Sequence, residues 1–197
     1  MSQDGVNKSR RTLLVGATAA VGAVGAGFVA VPFVKSWNPS EKAKAAGAPA
    51  KVDVSKIEPG AMLTAEWRGK PVYIARRTEE TLALLPSLNS RLKDPDNNNK
   101  AQQPAYADNI NRSRKPDLIV LEGVCTHLGC APKYFAEVKP EPFDADWKGG
   151  FYCPCHGSRF DLSGRVYNGS PAADNLIVPP YSFDGDTLII GVDEENA

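Results

Sequence analysis

The sequence predicts a mainly β protein with three parts: a single N-terminal transmembrane helix, a flexible linker and an antiparallel all-β head. Three observations predict this. A run of 23 residues without a charged side chain, Thr12 to Val34, stands near the N-terminus. Residues 35–50 are small or charged and show no apolar period. From residue 51 onward, short alternating segments are punctuated by turn signals, the pattern of an all-β sandwich or partial barrel.

Composition narrows the function classes. The chain has 197 residues, of which 42% are apolar or Cys, with 23 basic and 23 acidic side chains. That is enough for one globular domain with a core, plus a tail. The charge balance lacks the basic excess of a nucleic-acid-binding protein, so no nucleic-acid partner is expected. Four Cys are too few for a disulfide-dense miniprotein. The charge is uneven: residues 1–11 are slightly basic, whereas residues 51–197 hold 17 basic and 21 acidic side chains.

Residues 1–11 read as a cytoplasmic N-terminus. Ser9-Arg10-Arg11-Thr12-Leu13-Leu14 resembles a twin-arginine export signal, a route that carries folded proteins. Residues 12–34 form the anchor. As a helix they span roughly 35 Å, enough for a hydrocarbon core of about 30 Å. Six Ala and four Gly make the run only weakly apolar. The A-x-A-like site, Ala48-Pro49-Ala50, lies well beyond it, so a retained single-pass anchor is expected. Residues 35–50 are the linker, with Trp37 suited to a membrane interface.

The head is expected over 51–197. Val52 to Ile57 alternates. Met62 to Trp67 and Pro71 to Arg76 flank Arg68-Gly69-Lys70 as a hairpin. Thr78 opens a short helix through Leu85, with Glu79 and Glu80 in its first turn. The polar stretch 93–116, broken by prolines and Asn97-Asn98-Asn99, reads as a surface insertion. Leu118 to Leu121 is a buried strand, and Phe151-Tyr152 follows a Pro- and Gly-rich stretch. Leu176 to Val178, Tyr181 to Phe183 and Thr187 to Val192 complete the strands, with Asp184-Gly185-Asp186 as a turn.

Two loops, 125–130 and 153–158, contain every Cys and every His of the chain. They read Cys125-Thr126-His127-Leu128-Gly129-Cys130 and Cys153-Pro154-Cys155-His156-Gly157-Ser158. Three chemistries use such residues. A zinc site takes Cys and His, but C-x-H and C-x-C are tight for tetrahedral zinc. Two disulfides fit an exported protein but leave the His unexplained. A [2Fe–2S] cluster with two Cys on one iron and two His on the other uses one Cys and one His from each loop. It leaves Cys130 and Cys155 as a pair that outside the cytoplasm can form a bridge.

The two loops resemble the cluster-binding boxes of the Rieske proteins of ubiquinol–cytochrome c reductase. The resemblance extends to the twin-arginine-like start, the single anchor, the small-residue linker, the β head with its cluster-binding subdomain and the Gly169-Ser170-Pro171 segment. The stretch from Leu92-Lys93-Asp94-Pro95 through Gln103-Pro104-Ala105-Tyr106, and the insertion between the two loops, look more like the respiratory proteobacterial type. A soluble or tethered Rieske ferredoxin and a structural zinc domain are the competing classes. The anchor and the second Cys pair argue against the former.

The resemblance implies one Rieske [2Fe–2S] cluster, with Cys125 and Cys153 on one iron, His127 and His156 on the other, and a Cys130–Cys155 disulfide. It makes His156 the quinol contact and proton acceptor. It makes Ser158 the hydroxyl that bonds a bridging sulfur, and Leu128, Gly129 and Pro171 the docking surface. It implies an electron-transfer subunit that takes an electron from ubiquinol and passes it to a membrane-anchored c-type cytochrome, coupled to proton translocation. The implied partners are cytochrome b, that cytochrome, ubiquinol and membrane lipid, in a dimeric complex. The implied location is the bacterial inner membrane with the head on the periplasmic side, the linker letting the head swing between its two sites. One departure stands out: many respiratory relatives have Tyr where Phe160 follows Arg159.

Overall fold

The computed structural model describes residues 7–193. Residues 1–6 of the expected cytoplasmic segment lie outside the described residues. The chain divides into two compact units, Met1–Ala45 and Ala46–Ala197.

In the first unit, α1 runs Lys8–Ser36, longer at both ends than the uncharged run. Asn7 caps it, its side-chain oxygen accepting the Arg10 N–H at 3.1 Å. The export-like arginines are therefore helical. This helix is long and apolar enough to cross a membrane, and Leu13, Val21, Phe28 and Phe33 are exposed along it. The linker is not all irregular: α2, Glu41–Ala46, forms within it. The Ser40 hydroxyl accepts the Ala43 N–H, and Lys44 pairs with Glu41 at 2.7 Å.

Among its described residues, the second unit holds three antiparallel three-stranded sheets. The first, in order β1-β9-β8, joins β1 (Ala50–Asp53) to β9 (Thr187–Ile190) and β8 (Tyr181–Asp184). The head thus begins a few residues before 51: Ala50 pairs with Ile190, and the Arg68 N–H donates to the Ala46 carbonyl. The second sheet joins β2 (Met62–Trp67), β3 (Lys70–Arg76) and β4 (Leu118–Glu122). Arg68 and Gly69 both have positive φ, 52° and 71°, as the tightest hairpin turn requires. All of β4 is buried, which is why it reads as a continuous apolar run without alternation. The third sheet joins β5 (Lys133–Phe135), β6 (Gly150–Cys153) and β7 (Ser158–Phe160). Between β3 and β4 lies α3 (Glu79–Leu84), with Thr78 and Thr81 forming a reciprocal cap. Val72, Ile74, Leu118 to Leu121 of β4, Phe151, Phe160, Tyr181, Leu188 and Ile190 form the main core.

Two expectations are corrected. Residues 93–116 are not a solvated insertion, for Asn97, Gln103, Arg112 and Ser113 are buried. Their side chains satisfy irregular backbone. Gln103 donates to the Asn97 and Asn99 carbonyls, Asn97 to that of Asn109, and Arg112 to that of Ser163. Residues 176–178 are extended but form no strand. Leu176 N–H bonds Gly164, Ile177 C=O receives Glu122, and Val178 N–H bonds Gln102. Three bonds to three segments make no ladder.

Candidate metal centre

Both Cys/His loops hang from strand ends. The first leaves β4 through Gly123 and Val124 and returns into β5. The second is the turn between β6 and β7. They are built alike. The Gly129 N–H donates to the Cys125 carbonyl at 2.9 Å, and the Gly157 N–H to the Cys153 carbonyl at 3.0 Å. Both glycines are left-handed, with φ of 83° and 79°, a conformation that costs other residues free energy. A further bond, Cys125 N–H to Cys130 carbonyl, closes the first loop.

The loops are joined by a Cys130–Cys155 disulfide with Cα atoms 6.6 Å apart. Cys125 and Cys153 are free and buried. The sulfurs of Cys130, Cys153 and Cys155 lie within 4.8 Å of one another, but two of them are spent in the bridge, so this trio is not a thiolate site. Burial pushes the Cys153 thiol up, and the neighbouring Cys125 adds to this. Hydrogen bonds from the backbone of Cys155 and His156 act the other way, favouring an anionic sulfur. His127 is half-buried and His156 exposed, their rings edge-on with centroids 4.8 Å apart. Each loop thus offers one buried sulfur and one more exposed imidazole. Two sulfurs and two imidazoles are a donor set that would suit a [2Fe–2S] cluster of mixed ligation.

A surrounding layer holds the loops. Tyr73 donates to the Pro132 carbonyl at 2.9 Å and stacks on Phe151. Its ring covers Gly123, where a Cβ would lie 2.4 Å from it. Thr126 donates to the Asp174 carbonyl at 2.6 Å, tying the first loop to the segment after Pro171. Ser158 is buried, and its hydroxyl accepts the Ala172 N–H at 3.0 Å, leaving its own proton for another acceptor. Leu128 is 71% exposed, and Gly129 and Pro171 are exposed too. Phe160 is fully buried opposite Phe151. The structure therefore brings Cys125 beside Cys153 and His127 beside His156. Tyr73 and Ala172 carry no motif signal in the sequence, and only the fold reveals them.

Residues 1–40 match the profile of the "Ubiquitinol-cytochrome C reductase Fe-S subunit TAT signal", and residues 91–182 that of the Rieske [2Fe-2S] domain. The ubiquinol-cytochrome c reductase iron-sulfur subunit of Allochromatium vinosum is 54% identical over 198 residues, covering 100% of this chain and 95% of the relative. That of Rhodospirillum rubrum is 39% identical, covering 96% and 94%. Among solved structures, a chain of a hyperthermophilic respiratory Complex III is 30% identical with a TM-score of 0.48, covering 90% of this chain and 98% of that one. The chain belongs to the family of ubiquinol–cytochrome c reductase iron–sulfur subunits, redox components whose cofactor is a Rieske [2Fe–2S] cluster.

Proposed function

We propose that Cys125 and Cys153 hold one iron of the cluster and His127 and His156 the other, and that the protein carries electrons from ubiquinol to a membrane-anchored c-type cytochrome. The carrying observation is the paired loop construction: each loop brings one buried free cysteine, Cys125 or Cys153, and one imidazole, His127 or His156, with the two rings 4.8 Å apart. Held by these four residues, a [2Fe–2S] cluster would supply one-electron chemistry at a potential raised by two neutral imidazole ligands.

The chain's residues supply the rest. His156 is exposed at the loop tip, so its free ring nitrogen meets the quinol hydroxyl, orients it by a hydrogen bond and accepts its proton. Release of that proton on the periplasmic side contributes to translocation. Leu128, Gly129 and Pro171 dock on cytochrome b, where apolar contact excludes water from the quinol. The Ser158 hydroxyl, whose oxygen already accepts the Ala172 N–H, would donate its hydrogen bond to a cluster sulfur. Residues 12–34 anchor the chain in the inner membrane of a dimeric complex, in contact with lipid. The linker, whose last residue Ala50 already joins the first sheet of the head, lets that head travel between cytochrome b and the c-type cytochrome. The match of residues 1–40 to an export signal supports a periplasmic head.

The test is electron paramagnetic resonance of the reduced full chain in membranes. The expected spectrum is rhombic with a low average g, marking nitrogen-ligated iron. Cys125→Ser, Cys153→Ser, His127→Gln and His156→Gln should each abolish it. Any one of these retaining the full spectrum removes that residue from the ligand set.

A further inference from the structure

Lys93 belongs to no cluster motif, yet it grips the segment that touches Ser158. Its backbone is pinned: the N–H donates to the Val166 carbonyl at 2.9 Å, and its neighbour Leu92 bridges to Tyr167. From there the ammonium donates to the carbonyls of Ser170 and Ala172, both at 2.7 Å. These carbonyls flank Pro171, which has no N–H of its own to anchor the turn. The opposite side of the segment is bonded to β7. The Arg159 N–H donates to the Ser170 hydroxyl at 3.1 Å, and the Ala172 N–H to the Ser158 hydroxyl at 3.0 Å. The 170–172 segment is thus held between a cation and the strand that carries the second loop. Charge-assisted bonds of this length are the strong ones. A compact ammonium with rotatable donors can serve two carbonyls at once.

We propose that Lys93 is a positioning residue for the cluster: by clamping the carbonyls on both sides of Pro171, it aims the Ala172 N–H at Ser158 and so turns the Ser158 proton toward a cluster sulfur. The inference rests on the assignment of Ser158 as a sulfur donor in the proposed function. With the Ala172 N–H donating to one lone pair of Ser158, the hydroxyl proton is directed away from it. When the segment loosens, the hydroxyl rotates and the sulfur loses its donor for part of the time. A donor to sulfur favours the reduced, more negative cluster, so loosening lowers the midpoint potential.

The experiment is a redox titration of the cluster-loaded full chain in detergent, comparing Lys93→Met, Ser158→Ala and the double variant at spectroscopically matched cluster occupancy. Amide exchange of the peptide spanning 170–172 is measured alongside. Lys93 is exposed, so its removal opens no cavity. Ser158→Ala should lower the midpoint, and Lys93→Met should lower it by about threefold in the electron-transfer equilibrium, about 28 mV at roughly 59 mV per tenfold. The double variant should match Ser158→Ala alone, and exchange over 170–172 should quicken in Lys93→Met. An unchanged midpoint in Lys93→Met, with Ser158→Ala lowered, overturns the role of Lys93 while leaving that of Ser158. Additive shifts in the double variant overturn it as well, since Lys93 would then act by its charge and not through Ser158. An unchanged midpoint in Ser158→Ala overturns the Ser158 assignment and this route with it.

Discussion

Replacing Asp161 by Ala tests what holds the second cluster loop in place. Asp161 follows β7 directly and is fully buried. Its carboxylate accepts the backbone N–H groups of Ser163 and Arg165 at 2.9 and 2.8 Å, and the Arg165 side chain at 2.8 Å. Arg165 is fully buried as well and reaches on to Asn89 and the Leu85 carbonyl. Two further buried guanidiniums, Arg77 and Arg112, have their pKa pushed down to about 10 by burial, and the Asp161 charge opposes that shift in both. Removing the carboxylate leaves a buried cation without its counter-charge, at a cost of about 3–5 kcal/mol. At about 2–4 °C per kcal/mol for a domain of this size, the melting midpoint by near-ultraviolet circular dichroism should fall by about 6–20 °C. Replacing both partners removes the Arg165 charge but leaves Arg77 and Arg112 without the Asp161 carboxylate, so Asp161→Ala with Arg165→Met should recover part of the loss. A fall of less than about 2 °C in Asp161→Ala, or a double variant no better than the single one, would refute the reasoning.

Four further outcomes are expected. Phe160→Tyr should raise the cluster midpoint on the order of tens of mV, because a hydrogen bond to a charged group is worth about 1.5–3 kcal/mol and both redox states accept part of it; a redox titration showing no shift, with the hydroxyl placed on the sulfur, defeats this. Cys155→Ser should lower thermal stability and cluster retention, since the bridge between Cys130 and Cys155, 25 residues apart, is worth about 3.5 kcal/mol; iron content and melting after gel filtration measure it. Burial raises Tyr106 and Tyr134 to about 12, so the native state keeps protons that the unfolded chain releases near pH 10. These two groups make stability fall as pH rises from about 10 through 12, and absorbance at alkaline pH should show their phenolate appearing near 12 in native protein and near 10 in urea. Deleting several residues within 38–48 should leave the cluster spectrum intact while slowing quinol–cytochrome c turnover, and full activity in such a deletion removes the moving-linker idea.

Residue type and spacing alone carry the plan: an apolar helix behind an export-like arginine pair, a β head, and two loops holding every Cys and His. These are local signals, in which residue type and spacing constrain nearby backbone or metal chemistry. The hairpin at Arg68-Gly69, the Thr78 cap and the buried β4 were legible for the same reason. Tertiary structure decided what depends on distant partners. The polar stretch 93–116 looks solvated because Asn, Gln and Arg usually are, yet here they satisfy irregular backbone inside the head. Residues 176–178 have strand-like composition, but their bonds go to three separate segments. The closeness of His127 to His156, the Tyr73 ring over Gly123, and the reach of Lys93 across 77 and 79 residues to Ser170 and Ala172 depend on how the sheets pack. A side-chain hydrogen bond across such a separation has no period in the sequence, because only the folded backbone brings its donor and acceptor within reach.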